Sequence, residues 1–550
     1  MLLPKFLFYF SMIFLIEQCC GNSCREKHEI SVICNSFSDL NDYPNPEKKN
    51  FIQITLPKAN RTAFSCNAGM FAKFTAVKYF NLSGIAVASI DGDCFKGLDE
   101  LKVIDLSHNV LTQIDMKAFR SSEKVEVRKI FLENNRILEI NLNSVVLPQL
   151  QTINLKNNSL TSFYLKTQFL PRILHLKLEG NDIWRFEIES QTLTNLDLSH
   201  NCISNFMKDH LNLPNLKHLN LAGNHLTTVN TDMFANMPKL QYLYLAQNIL
   251  DTVSLPNSHL VHVDLNNNLL KFMDNIAVNF VNHSSLHMSF NKFFEITSPT
   301  SFSKHPSRSF GQLTELVCNF CNIHLIMPYF IYDTSPTMES LSLRSNLLRS
   351  VGFFNSRQGD LNLISIDLTY NNIRHIDRTD FAKLSKVINL YLGSNEIASI
   401  APGAFESMAM LHILDLSNNF IFELPPNGFD QVPLVWLLLN GNNMAFFPIP
   451  GWQNVSVKIS KNNSKLNSLQ LLNIENNPFQ CDCLESIHMW ARDNSIELKV
   501  YDTKVKAGVK PACIVNDQGC ETNVGKDFIR GYWHLFNDNK IKDIIQLEDE

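Results

Sequence analysis

Apolar residues recur along this chain in one short phrase. In residues 101–111, LKVIDLSHNVL, leucine or isoleucine fills the first, fourth, sixth and last positions and asparagine the ninth. LKHLNLAGNHL ending at Leu226, LQYLYLAQNIL at Leu250, LHILDLSNNFI at Ile421 and LVWLLLNGNNM at Met444 repeat the phrase. Its apolar–x–apolar centre predicts a short strand, because side chains alternate with period two: the fourth and sixth residues enter a core while their neighbours face out. Three residues after the second of these the chain must turn. An asparagine buried there can satisfy backbone groups of the turn and of its neighbour, which an apolar residue could not do.

The asparagine falls at Asn109, Asn135, Asn158, Asn181, Asn201, Asn224, Asn248, Asn268, Asn291, then Cys321, then Asn346, Asn371, Asn395, Asn419, Asn442 and Asn477. These positions span 368 residues in 15 intervals, a mean of 24.5. The pattern resembles the leucine-rich repeat, whose period is about 20 to 29 residues. That resemblance implies an α/β fold class: a leucine-rich repeat solenoid, a curved horseshoe with a parallel sheet on its concave face and disulfide-stapled N- and C-terminal caps. One long core then replaces the three or four globular domains that 550 residues would otherwise suggest.

Irregular intervals carry information. Those from Asn181 to Asn201 and from Asn248 to Asn268 are only 20 residues, too short for much convex helix. The interval from Asn291 to Cys321 is 30 residues and holds PTSFSKHPSRSFGQ, a polar, proline-containing insertion expected to project as a loop. The interval from Asn442 to Asn477 is 35 residues and is expected to hide a degenerate coil ending at Asn462.

Composition sharpens the picture at two points. Of the 39 phenylalanines, Phe95, Phe119, Phe163, Phe234, Phe381, Phe405 and Phe429 fall near the middle of the return path, where an inner row would fill space behind the leucines. Formal net charge is −5, so no overall basic field points to nucleic acid. Metalloprotease, hydrolase-elbow and Walker-loop motifs are absent from the sequence, so neither an enzyme nor a cofactor or metal site is expected.

The first 21 residues have a basic residue, an apolar run from Phe6 to Ile16 and small residues near Cys20, the layout of a signal peptide. No later run is long enough to span a membrane, so the expectation is a secreted, extracellular protein with no membrane span. Sequons at Asn60, Asn81, Asn157, Asn282, Asn454 and Asn462 fit that route. In an oxidising compartment most of the 13 cysteines should pair.

The stretch NPFQCDCLESIHMWARDN, continuing to Cys513 and Cys520, resembles the C-terminal cap of extracellular leucine-rich repeat proteins, including Toll receptor ectodomains and secreted immune proteins. That resemblance implies bridges Cys481–Cys513 and Cys483–Cys520, with Trp490 packed on the capping helix. ISVICNSFSDLNDYP after Cys24 resembles the matching N-terminal cap, in which Cys24 and Cys34 form a hairpin bridge. Cys66 and Cys94 flank an atypical first coil with Ile85 in the asparagine position and are expected to pair. Cys318 and Cys321 read as small buried hydrophobes. Cys202 follows a ladder asparagine on an outward position, either as a free thiol or as the link of a disulfide dimer. The resulting division is signal peptide 1–21, N-terminal cap 22–76, repeats 77–475, C-terminal cysteine cap 476–525 and acidic tail 526–550.

Outward strand positions form the default recognition strip of such a scaffold. Tyr242 and Tyr244 lie on one strand position pair, with His218 and His262 on adjacent coils, and Tyr391, Ile413, Trp436 and Leu438 make a second candidate patch. Aromatics among polar groups are the composition of a protein-binding hot spot. The resemblance implies a recognition protein binding an extracellular protein or microbial ligand, in innate immunity. A matrix or adhesion protein, a soluble decoy ectodomain and a secreted enzyme inhibitor use the same scaffold.

Overall fold

The computed structural model describes residues 24–28, 31–34, 46–54, 63–120, 126–256, 259–296, 310–354, 359–425, 428–429, 432–448, 458–459, 465–466, 469–500, 513 and 520. The chain forms two compact units, Met1–Asn248 and Ile249–Glu550. The signal stretch 1–21 and the tail 526–550 lie outside the described residues.

In the first unit, Cys24–His28 pairs antiparallel with Ser31–Cys34, which then begins a parallel ladder with Phe51–Ile54 and Tyr79–Asn81. The ladder continues, one three-residue strand per coil, through Val103–Asp105, Lys129–Phe131, Thr152–Asn154, His175–Lys177, Asn195–Asp197, His218–Asn220 and Tyr242–Tyr244. The middle residue of each repeat strand is buried, as period-two alternation requires. Among the described residues of this unit, the return paths hold no α-helix. They are 3₁₀ turns such as Met116–Phe119 and Thr231–Phe234, and short strands, with Ser162–Leu165, Arg185–Glu189 and Leu211–Asn212 pairing in parallel. The short Asn181-to-Asn201 coil returns through one of these strands, since an extended residue covers about twice the distance of a helical one.

The second unit repeats the arrangement. His262–Asp264, Phe280–His287, Gly311–Val317, Ser340–Ser342, Ser365–Asp367, Asn389–Tyr391, Ile413–Asp415, Trp436–Leu438, Leu471–Asn473 and Glu497–Lys499 pair in parallel order. Two α-helices occur among the described residues, the five-residue Phe330–Thr334 and the capping helix Cys481–Asp493. Of the expected projecting loop, residues 297–309 lie outside the described residues, while Phe310 is buried and Gly311–Val317 is already strand.

One expectation is overturned. No coil ends at Asn462: Trp436 pairs directly with Leu471, and the Met444 amide donates to Asn477 Oδ1 at 3.1 Å. Within this interval Lys458–Ile459 and Lys465–Leu466 form an antiparallel pair rather than a parallel rung of the ladder. Spacing alone misleads here because a hairpin consumes the length of a coil without adding a strand to the ladder.

The asparagines hold the coils together. Asn224 is typical: Nδ2 donates to Leu198 and Leu221 O, both at 3.0 Å, and Oδ1 accepts from the Ile203 amide at 3.0 Å. The residue before each ladder position adopts left-handed φ, between +51° and +70° over sixteen coils. Glycine at 223 is matched to this corner, since a Cβ there would collide with the His200 imidazole. Behind the leucines, Phe95, Phe119, Phe163, Phe234, Phe381, Phe405 and Phe429 are all buried. Phe381, Phe405 and Phe429 stack with centroids 5.7 and 5.4 Å apart.

Cys66 and Cys94 are bonded, with Cα atoms 5.6 Å apart. Cys481 is bonded to Cys513 and Cys483 to Cys520. Cys24 and Cys34 occupy opposed register positions, and their side chains lie outside the described residues. The capping helix buries Cys483, Leu484, Ile487, Trp490 and Ala491, one face at helical spacing, and Trp490 meets Phe447 at 6.0 Å.

Candidate functional site

Strand residues beside the core positions present a regular surface whose side chains the core does not consume, and each unit's strand face is the candidate site. In the first unit, parallel register places His218 beside Tyr242 and Asn220 beside Tyr244. The His218 and Tyr242 rings stack at 4.4 Å and 6°. Burial first, then Lys217 and His175, push the His218 imidazole below its ordinary value, which favours the neutral imidazole in this stack. Much of the surrounding polarity is already paired. Asn220 Nδ2 donates to Asp197 Oδ2 at 3.1 Å, while Asp197 Oδ1 accepts from the Ser199 amide and hydroxyl at 2.9 and 2.6 Å. Tyr242 and Tyr244 are both half-buried.

His262 belongs to the second unit and is occupied there. Its Nδ1 lies 2.7 Å from Ser285 Oγ, and its ring meets His287 edge-on at 4.8 Å. His287 in turn faces Glu315, Nε2 to Oε2 3.6 Å. Burial and then His287 lower the His262 pKa, opposed by Asp264 and Glu315. Its outward sequence position thus holds a side chain turned along the sheet to its neighbours.

The second patch differs in kind. Asn389, Ile413, Trp436, Leu471 and Glu497 stand in one register row, and Tyr391, Asp415, Leu438, Asn473 and Lys499 in the next. Trp436 is 45% exposed between the aliphatic Ile413 and Leu471. Tyr391 borders the patch, and burial followed by the Asp367 and Asp415 carboxylates raises its phenol pKa, so the hydroxyl stays a donor. Leu471 is absent from the sequence-derived patch because the false coil at Asn462 separated it from Trp436. The phrase from Leu469 to Asn477, with Leu472 and Ile474 in the strand slots, carries the signal that joins them.

Sequons at Asn60, Asn454 and Asn462 lie outside the described residues. Asn282 and Asn157 are exposed, whereas Asn81 is half-buried on a ladder strand with its Oδ1 accepting the Ser83 amide at 2.8 Å. Cys202 is exposed, and Cys318 and Cys321 are buried. Among the described residues no group of three or more His, Cys, Asp or Glu could hold a metal ion. No described helix is long and apolar enough to cross a membrane.

The family model described as Leucine rich repeat matches residues 75–127, 191–250 and 385–444, stretches lying in both units. No curated protein sequence matches the chain. Among solved structures, the glycosylated form of the Drosophila Toll–Spatzle complex is similar with TM-score 0.56 and 18% identity, over 92% of this chain and 72% of that one. A leucine-rich repeat protein of Leptospira interrogans is similar at TM-score 0.46 and 16% identity, over 85% of this chain and 99% of that one. The TLR13–ssRNA13 complex is similar at TM-score 0.45 and 18% identity, over 89% of this chain and 76% of that one. At 18% identity the likeness to Toll is one of fold, and with the family match that fold is the leucine-rich repeat solenoid.

Proposed function

We propose that this leucine-rich repeat chain is an extracellular, non-catalytic recognition protein that binds a protein ligand through the strand face of its second unit, in an innate-immune role. Trp436 carries the reading. A half-exposed tryptophan flanked in register by Ile413 and Leu471, with Tyr391 and Leu438 beside it, leaves apolar surface uncovered that a partner would bury. The Toll structure of similar fold holds the protein Spatzle, in a complex that is a molecular hub in Drosophila development and innate immunity. This supports a protein ligand by analogy of fold. Disulfides at both ends of the repeats support an oxidising compartment, in which exposed Asn282 and Asn157 would carry glycans.

The test is affinity capture from native extracellular fluid with immobilised wild-type chain and Trp436→Ala, quantified by mass spectrometry. A central aromatic contact is worth about 2 kcal/mol or more, so binding should weaken roughly thirtyfold with circular dichroism unchanged. If Trp436→Ala retains every species that the wild type captures, this face is not the site. Loss confined to Tyr242→Ala and Tyr244→Ala would move it to the first unit.

The exposed Cys202 thiol, in the same reading, links two copies. Non-reducing electrophoresis should show a band at twice the monomer mass that reductant and Cys202→Ser both abolish. A monomer band indifferent to reductant sinks the link.

A further inference from the structure

We infer that Cys318 and Cys321 are joined by a disulfide in the mature protein, closing a small ring around Phe320 and holding that aromatic outward on the second unit. The inference rests on the extracellular reading above for its oxidising compartment.

The two cysteines bracket Asn319 and Phe320 in a C-x-x-C whose second cysteine stands where the neighbouring coils carry a ladder asparagine. Both side chains are fully buried, at 0% exposure, and their sulfurs lie 2.6 Å apart. Non-bonded carbons rest about 3.5 to 4.0 Å apart, and sulfur is larger. Two separate thiols therefore do not fit this corner, whereas one cystine does.

Hydrogen bonding at the corner leaves the thiol protons without a necessary task. Cys321 Sγ lies 3.2 Å from Met288 O and 3.4 Å from Asn319 O. Met288 O already accepts from Asn291 Nδ2 at 2.8 Å, and Asn319 O accepts from the Phe290 amide at 2.8 Å. The Cys318 carbonyl accepts from Asn346 Nδ2 at 2.8 Å, and the Cys321 amide donates to Asn346 Oδ1 at 3.0 Å. Losing both S–H groups thus orphans no carbonyl, and the backbone that presents the sulfurs to each other is pinned from the next coil.

The ring encloses a residue that needs holding. Phe320 has φ +55°, a conformation that costs a bulky L-residue about 1 to 2 kcal/mol. It is nevertheless 48% exposed and stacks on Phe290, itself at φ +59°, with rings 4.7 Å apart and 5° from parallel. Other coils place Asn, Gly, His or Ser at most of these corners and brace them with a ladder asparagine. Here a covalent bond takes over the bracing.

The bond forms by exchange with a disulfide donor, a small-molecule or protein disulfide of the secretory route. One cysteine thiolate attacks the donor, releasing the first donor thiol; the second cysteine displaces the other. Two S–H protons leave, one S–S bond forms, and the donor disulfide is reduced to two thiols. This happens before the coil closes, since burial pushes the Cys318 thiol well up and keeps it from ionising afterwards.

The test is differential alkylation of the full chain, purified without reductant from a secretory host, unfolded in denaturant and digested for mass spectrometry. The peptide carrying Cys318 and Cys321 is expected two hydrogens light and unlabelled, taking two alkyl groups only after reduction. Peptides of Cys66–Cys94 and Cys481–Cys513 in the same digest report the compartment. If those are closed while Cys318 and Cys321 both label without reductant, or either is linked elsewhere, the pair is overturned and the extracellular reading stands. Labelling of all of them overturns both.

Discussion

Asn395→Asp is expected to destabilise the second unit by about 4 kcal/mol at neutral pH, a loss that shrinks on acidification. Asn395 is 6% exposed, and its Nδ2 donates to Leu368 O at 3.0 Å and Leu392 O at 2.9 Å, with Gly393 O at 3.4 Å. Its Oδ1 accepts the Ile373 amide at 3.1 Å. Aspartate has the same shape, so packing is conserved and only the chemistry changes. An oxygen replaces the nitrogen opposite three carbonyls, and each buried group left unsatisfied costs about 1 to 3 kcal/mol. A protonated carboxyl can restore one donor, so burial and the carbonyls raise the folded-state pKa above the unfolded value of about 3.9. Between those two values the native state binds more protons than the unfolded state, and stability therefore falls as pH rises. The deficit relative to wild type should be smallest below about pH 4, grow through that window and level off above it. Denaturant midpoints of both proteins across pH would show this; equal midpoints at pH 7 would show that the ladder asparagine does not bind the coils.

Phe405→Ala should cost about 3 to 5 kcal/mol through the cavity it leaves. The ring is fully buried and sandwiched between Phe381 and Phe429, with centroids 5.7 and 5.4 Å away and planes within 20°. A coil that touches only its neighbours cannot collapse onto the gap without moving its own strand. Phe405→Leu, keeping most of the volume, should cost less than half as much. Hydrogen exchange should locate the loss in the coils around Asn389–Tyr391 and Ile413–Asp415, fading with coil distance. Uniform protection in the alanine variant would remove the phenylalanine row as a structural element.

These two residues were legible in the sequence because each is specified by its own coil: a ladder asparagine by its offset from two leucines, a row phenylalanine by its place on the return path. Trp436 was legible for the same reason, as an outward residue of a recognisable strand. Leu471 beside it was not, because the 35-residue interval before Asn477 imitates two repeats while adding one strand to the ladder. His262 marks another limit. Its outward position was plain from alternation, but its contact with Ser285 and His287 depends on which residues the next coil presents.

The repeating pattern by itself determined the strand of each coil, the buried asparagine, the leucine and phenylalanine layers and the solenoid that stacks them, because those interactions recur at a fixed offset in every coil. Only the tertiary structure decided which strand follows Trp436, that the corner before each asparagine is left-handed, that Phe290 and Phe320 stack there in the open, and that Cys318 and Cys321 meet. Each of those depends on atoms brought into register from different coils or on a backbone turn that the apolar pattern does not encode. Neighbouring coils touch side by side, and a difference of one insertion or one φ changes which side chains stand together while the pattern of leucines stays the same.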